Sequence, residues 1–152
     1  MKVNTIKPDP AGYAGNVDPG TAWQVLAENR LAQLVDVRTT AEWAYVGTPD
    51  LTALGKQVMR VEWQSFPQMQ VDPDFAGRIS AALTERGATP ETPVFFICRS
   101  GARSARAAEA ATSAGWRNAY NVATGFEGDR DRNNHRGTVG GWKVDGLPWT
   151  QT

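Results

Sequence analysis

The chain has little from which to build a metal centre or a disulfide: its 152 residues include one cysteine and one histidine. A single cysteine excludes an internal disulfide, a multi-cysteine metal site and a Cys-x-x-Cys redox motif. A prevailing charge is missing too. Sixteen basic and sixteen acidic residues give a formal net charge of +0. That balance argues against nucleic acid or an anionic membrane surface as the main partner. No apolar run approaches the length of a membrane span. Met1 to Pro10 is polar and lacks the apolar centre of a signal peptide, so a cytoplasmic location is expected.

What is there points to one folded domain. Hydrophobic residues make up 41% of the chain, enough for a core. Tyr13 to Val17 reads as a first strand. Asp18-Pro19 then opens a helix to about Asn29, with Asp18 as N-cap. Leu34 to Val37 is a second, buried strand. Thr39 or Thr40 caps a short helix through Glu42 and Trp43. Gly47 to Gly55 reads as loop, Gln57 to Trp63 as a third strand, and Ser65 to Pro73 as loop. A helix follows from Pro73 to Arg86, stopped by Gly87. Val94 to Ile97 and Asn118 to Val122 are further strands, with a helix from Ser104 to Ala114 between them. Strands alternating with helices predict an α/β fold with a mostly parallel sheet of about five strands, flanked by helices on both faces. The periodicity fades after Thr124. The core is expected over about residues 13–126, and residues 127–152 form a C-terminal arm packed through Trp142 and Trp149.

The most informative stretch is Val94-Phe95-Phe96-Ile97-Cys98-Arg99-Ser100-Gly101-Ala102-Arg103-Ser104. Four apolar residues suit a strand buried on both faces. The cysteine sits where that strand stops, and small residues lead into a helix N-terminus. In open parallel sheets, ligands sit beyond the carboxyl ends of the strands. A helix N-terminus carries unpaired N–H groups and partial positive charge, so it favours anions. Arg99 and Arg103 add full charges. A lone cysteine is more often a small buried hydrophobe than a nucleophile. Here its place at the strand end, the small residues after it and the two arginines reverse that prior. A free thiol titrates near ~8.5, and such surroundings bring it to ~3.5–7.5. Cys98 is therefore expected to ionise readily beside an anion cradle.

These residues resemble the single-domain rhodanese-like sulfurtransferases. Asp36-Val37-Arg38 followed by Glu42-Trp43 is similar to that family's D-x-R-x-x-x-E-aromatic motif. Cys98 to Arg103 is similar to its six-residue active-site loop, and Gly115-Trp116, the strand near Tyr120 and Gly125-Phe126 match what usually follows. The resemblance covers about Tyr13 to Phe126, and some bacterial members share the tail. Where the family often has G-H-I-P-G-A, this chain has Gly47-Thr48-Pro49-Asp50-Leu51.

The resemblance implies a thiosulfate sulfurtransferase-like enzyme. The Cys98 thiolate attacks the sulfane sulfur of a small anionic donor, sulfite leaves, and a persulfide passes to cyanide or a thiol, which a protein can supply. Arg99, Ser100, Gly101, Ala102, Arg103 and Ser104 would bind the donor and the persulfide anion. No cofactor and no metal is implied. Asp36, Arg38 and Glu42 are expected to give structural support, with Arg38 and Glu42 spaced to pair on one helical turn. His135 lies in a polar run with no ligating neighbour and reads as a solvated loop residue.

Three rivals remain on the residues alone. A phosphatase of the C-x5-R type would need arginine six positions after the cysteine, where Ser104 stands; Arg103 is one residue early. An arsenate reductase relying on several cysteines is excluded, although one that borrows glutathione is not. A sulfur carrier or regulatory binding module of the same fold, without broad turnover, fits the same loop.

Overall fold

In the computed structural model, described over residues 3–65 and 68–151, the run Val94–Ile97 is wholly buried. It forms β7, the middle strand of the main sheet, and six strands precede it in the chain. Strand β1 is Gly15–Val17, β2 Gln33–Asp36, β3 Thr48–Pro49, β4 Met59–Arg60, β5 Gln64–Ser65 and β6 Gln70–Val71. Two more follow, β8 at Ala119–Val122 and β9 at Trp149–Thr150. The main sheet has five strands in the order β1-β8-β7-β2-β4. Every pairing in it is parallel.

Four helices connect these strands: α1 Pro19–Glu28, α2 Thr40–Tyr45, α3 Phe75–Glu85 and α4 Ala102–Ser113. Side chains of a strand alternate between faces. Phe96 therefore joins a cluster with Phe75, Ile79 and Leu83 of α3 and Ala107, Ala108 and Ala111 of α4. Phe95 and Ile97 join the opposite cluster, with Ala22, Val25 and Leu26 of α1 and with Phe126 and Trp142. Both faces of the sheet are covered, which is why its strands are apolar runs.

Most sequence expectations hold at the level of elements. Asp18 caps α1, accepting from the Thr21 amide at 2.8 Å. Thr39 caps α2 in a reciprocal box with Glu42. The differences have local causes. The third strand is regular only at Met59–Arg60, because it is an edge strand whose ladder with β2 ends early; Val61 and Trp63 still donate to the Asp36 and Val37 carbonyls. The stretch read as loop from Gly47 to Gly55 contains β3, and that read as loop from Ser65 to Pro73 contains β6. In both, a partner distant in the chain or across a turn supplies the hydrogen bonds: β3 pairs with β9, and β5 with β6. Residues 66 and 67 of that second stretch lie outside the described ones, as do 1, 2 and 152. Helix α4 begins at Ala102, two residues before the expected Ser104, so the cysteine loop is shorter and the helix N-terminus closer to Cys98.

In the described part of the C-terminal segment the two tryptophans differ. Trp142 is fully buried, meets Trp23 edge-on at 6.0 Å, and donates from Nε1 to the Pro148 carbonyl at 2.7 Å. Trp149 is 40% exposed, yet its ring meets Phe126 edge-on at 6.3 Å and lies 4.0 Å from the Lys143 ammonium, while its backbone pairs with Pro49. Trp142→Ala should cost about 3–5 kcal/mol of unfolding free energy, measured by urea denaturation. A loss below about 1 kcal/mol would show that the arm contributes little to the core.

Candidate active site

The Cys98 loop is held in place by backbone bonds from the segment after β8. The Cys98 carbonyl accepts from the Phe126 amide at 2.8 Å, and the Arg99 carbonyl accepts from Glu127 and Gly128 at 3.0 and 3.1 Å. Such close approach requires glycine at two places. A Cβ on Gly101, whose φ is +105°, would lie 2.1 Å from the Ala123 carbonyl oxygen. One on Gly125, at φ +68°, would lie 2.5 Å from the Arg99 backbone.

The thiol is 1% exposed, and its Sγ has two polar neighbours. The Gly101 amide and the Ser104 hydroxyl each lie 3.1 Å away. Gly101 is the N-cap residue of α4, and no side chain caps that end. The first amides of the helix have no acceptor in the preceding turn, so they keep their capacity for an anion. Arg99 is exposed, Ser100 half-buried, and Ala102 exposed.

Arg103 reaches α2. Its Nη1 and Nη2 donate to the two carboxylate oxygens of Glu42 at 2.7 and 3.0 Å. The pair clamps the cysteine loop to the Asp36–Glu42 segment. Partial burial pushes the Glu42 carboxyl upward, but hydrogen bonds and charge from Arg103, with help from Thr39, outweigh it and hold the group below the ordinary glutamate range. Burial likewise opposes the charge on Arg103, while Glu42, and more weakly Cys98 and Asp36, raise its affinity for the proton.

The expected pairing of Arg38 with Glu42 is corrected. Arg38 precedes the N-cap of α2, so the helical i,i+4 geometry does not reach it. Its guanidinium turns back to Asp36, with Nη2 donating at 2.7 Å and Nε at 3.0 Å, and both side chains are fully buried. Nη2 also donates to the Gly47 carbonyl at 2.7 Å, and the guanidinium carbon sits 4.3 Å from the Phe126 ring centroid. Asp36, Arg38 and Glu42 thus touch the loops on both sides of the cysteine without touching its sulfur. His135 is exposed, on a turn where its amide donates to Asp131.

Two residues near the site were not anticipated. Asn121 of β8 accepts from the Ser104 hydroxyl at 2.6 Å, and it donates to Asn16 of β1 at 3.0 Å. The available signal was an asparagine inside each of two otherwise apolar strands, an arrangement that needs buried partners. A cavity of about 440 Å³ is lined by Thr48 and Arg60, and another of about 200 Å³ shares Arg60 and reaches Trp43; Cys98 lines neither.

An all-parallel five-stranded sheet with helices on both faces, and a cysteine loop opening a helix, define a rhodanese-like domain. The chain belongs to the family described as the STR4 middle domain, whose model matches residues 15–152. It is 47% identical to a Mycobacterium tuberculosis protein of known crystal structure, Rv0390, with a TM-score of 0.81 over 92% of this chain and 99% of that one. The solution structure of a polysulfide-sulfur transferase homodimer from Wolinella succinogenes is 25% identical, with a TM-score of 0.53 over 90% of this chain and 78% of that one. The protein RP600 of Rickettsia prowazekii is 35% identical over 134 residues, which are 88% of this chain and 95% of its own. Arabidopsis rhodanese-like domain-containing protein 4 is 28% identical, and the match spans 24% of its length. Among the described residues, no helix is long and apolar enough to cross a membrane.

The Glu42–Arg103 clamp predicts a pH dependence. The folded carboxyl titrates below its unfolded value, so its stabilisation is complete above the unfolded value and is lost as pH falls through the folded one. Wild type should exceed Glu42→Gln in stability at and above the ordinary glutamate range and converge on it as pH falls below that range. Urea midpoints across that range test this, and a gap that persists unchanged at the acid end would overturn it.

Proposed function

We propose that the protein is a sulfurtransferase that moves a sulfane sulfur from thiosulfate, or a similar small anionic donor, through a persulfide on Cys98. The observation that carries this is the setting of Sγ, held by a backbone amide and a hydroxyl at the open N-terminus of α4. In the first half-reaction the Cys98 thiolate bonds to the outer sulfur of thiosulfate, the S–S bond breaks, and sulfite departs with its electron pair. Charge is conserved, with one negative charge on the persulfide and two on sulfite. In the second, a thiolate or cyanide takes the outer sulfur and Cys98 is restored. Two half-reactions through one covalent intermediate give ping-pong kinetics. The uncapped amides of α4 favour the persulfide anion, as preorganised dipoles favour any charge that develops beside them.

The near-complete burial of Cys98 favours a compact donor over a bulky ester. Ser104 occupies the C-x5-R position, and Arg103, one residue early, is held by Glu42 and not free to grip a phosphate. Likeness to the Wolinella polysulfide-sulfur transferase supports sulfane-sulfur chemistry and makes a polysulfide chain a second donor to assay.

The direct test is intact mass. Thiosulfate should add one sulfur atom to the protein, cyanide should remove it, and Cys98→Ser should abolish both changes together with thiocyanate formation. Full thiocyanate production by Cys98→Ser would sink the proposal. Loading without turnover on cyanide or thiols would instead assign a carrier.

Exposed Arg99 acts on the donor from the rim through long-range attraction. Arg99→Ala should raise KM for thiosulfate severalfold at low salt with little change in kcat, and the difference should shrink as salt screens it. A collapse of kcat at both ionic strengths would place Arg99 in the chemistry itself.

A further inference from the structure

A chain of buried hydrogen bonds ends on the sulfur, and its direction is set at the other end. The Pro8 carbonyl can only accept. Asn16 therefore turns Nδ2 toward it, at 3.1 Å. This leaves Asn16 Oδ1 to accept from the Tyr13 hydroxyl at 2.9 Å and from Asn121 Nδ2 at 3.0 Å. Asn121 must then present Oδ1 to Ser104, 2.6 Å away. The reversed arrangement would set carbonyl oxygen against carbonyl oxygen at Pro8. Asn16 and Asn121 are register partners on adjacent parallel strands, so the backbone itself fixes their spacing.

Ser104 has one proton and three acceptors in reach: Asn121 Oδ1, Cys98 Sγ at 3.1 Å, and the Gly101 carbonyl at 3.3 Å. Distance and the fixed amide both direct the proton to Asn121. The Ser104 lone pairs then face the sulfur, where they suit a thiol that donates S–H. A thiolate instead needs the hydroxyl to turn, which leaves Asn121 Oδ1 buried without that donor.

We infer that Asn121, oriented by Asn16, is a positioning residue that withholds the Ser104 proton from the Cys98 thiolate. For the sulfur transfer proposed above, on which this consequence rests, the relay favours the loaded state. In the persulfide the charge lies on the outer sulfur, Sγ becomes a neutral divalent atom, and Ser104 can return to Asn121. The free thiolate is the one state of the cycle that breaks a bond in the relay. That disfavours the free thiolate relative to the persulfide and opposes premature unloading.

Charged and titratable groups surround Cys98 from each neighbouring element. Arg103 of α4 is bound to Glu42 of α2, Asp36 and Arg38 stand at the end of β2, Arg99 and Glu127 lie on the two loops, and Tyr13 closes the relay before β1. The substitutions at positions 104 and 121 leave all of them in place, so their field on the sulfur is common to those variants, whereas Asn16→Ala also removes the acceptor of the Tyr13 hydroxyl.

The test is the rate of iodoacetamide alkylation of Cys98 against pH in the full chain, with no sulfur donor present. Asn121→Leu frees the Ser104 proton. Alkylation near neutral pH should rise about tenfold and its profile should move about one unit toward acid, the worth of one hydrogen bond to an ionised group. In a Ser104→Ala background the same change at position 121 should do nothing, because the relay acts only through that hydroxyl. Asn16→Ala, on the edge strand, lets Asn121 turn round and should shift the profile in the same direction; it replaces Asn121→Leu in the cycle if that variant does not fold. An unshifted profile, or an equal shift with and without Ser104, overturns the inference. Because alkylation needs no donor, that outcome is distinct from failure of the sulfur-transfer proposal, which shows as an absent mass gain in the wild type.

Discussion

The buried ion pair of Asp36 and Arg38 is the contact on which the surroundings of the cysteine depend. Two full charges without solvent carry a large desolvation penalty, offset by their mutual contact and by bonds to their neighbours, although Arg38 Nη1 has no hydrogen-bond partner. Here the neighbours are the two sides of the site. Arg38 gives one hydrogen bond to the Gly47 carbonyl and lays its plane on Phe126. Phe126 in turn donates its amide to the Cys98 carbonyl. One guanidinium therefore fixes the loop after α2, the loop after β8 and, through the latter, the backbone of the nucleophile.

A second clamp works from the opposite side. Glu42 caps its own helix through Thr39 and grips Arg103, which lies in the first turn of α4. The two arginines of the paired motifs thus have separate tasks. Arg38 is buried and neutralised within its own motif. Arg103 crosses to the other motif and is half-buried, so its partner can change protonation with the solvent. The sulfur itself is touched by neither; it sees a backbone amide and a hydroxyl, both of which the clamps hold still.

The sheet, its helices and the position of Cys98 were legible because each rests on a local pattern: apolar runs, an Asp-Pro helix start, a glycine stop. The pairing of side chains was not. The interval from Arg38 to Glu42 looks helical in the sequence, but Thr39 starts the helix one residue too late for it to apply. Strands β3 and β9 escaped notice because each is two residues long and acquires its bonds only from the other, about a hundred positions away in the chain. Asn16 and Asn121 are polar residues in apolar strands, but their meeting is a matter of strand order, with β1 beside β8, which no local pattern encodes.

The collision that excludes a side chain at Gly101 also limits how this site can drift. The N-cap of a helix is where serine, threonine, aspartate or asparagine would ordinarily fold back and satisfy the free amides. At position 101 any of them would strike the Ala123 carbonyl before it could do so. The fold has closed the commonest mutational route by which a binding loop stabilises itself at the expense of its ligand. Random substitution can weaken the loop, but self-capping at this position is not an accessible route to gaining stability by silencing it.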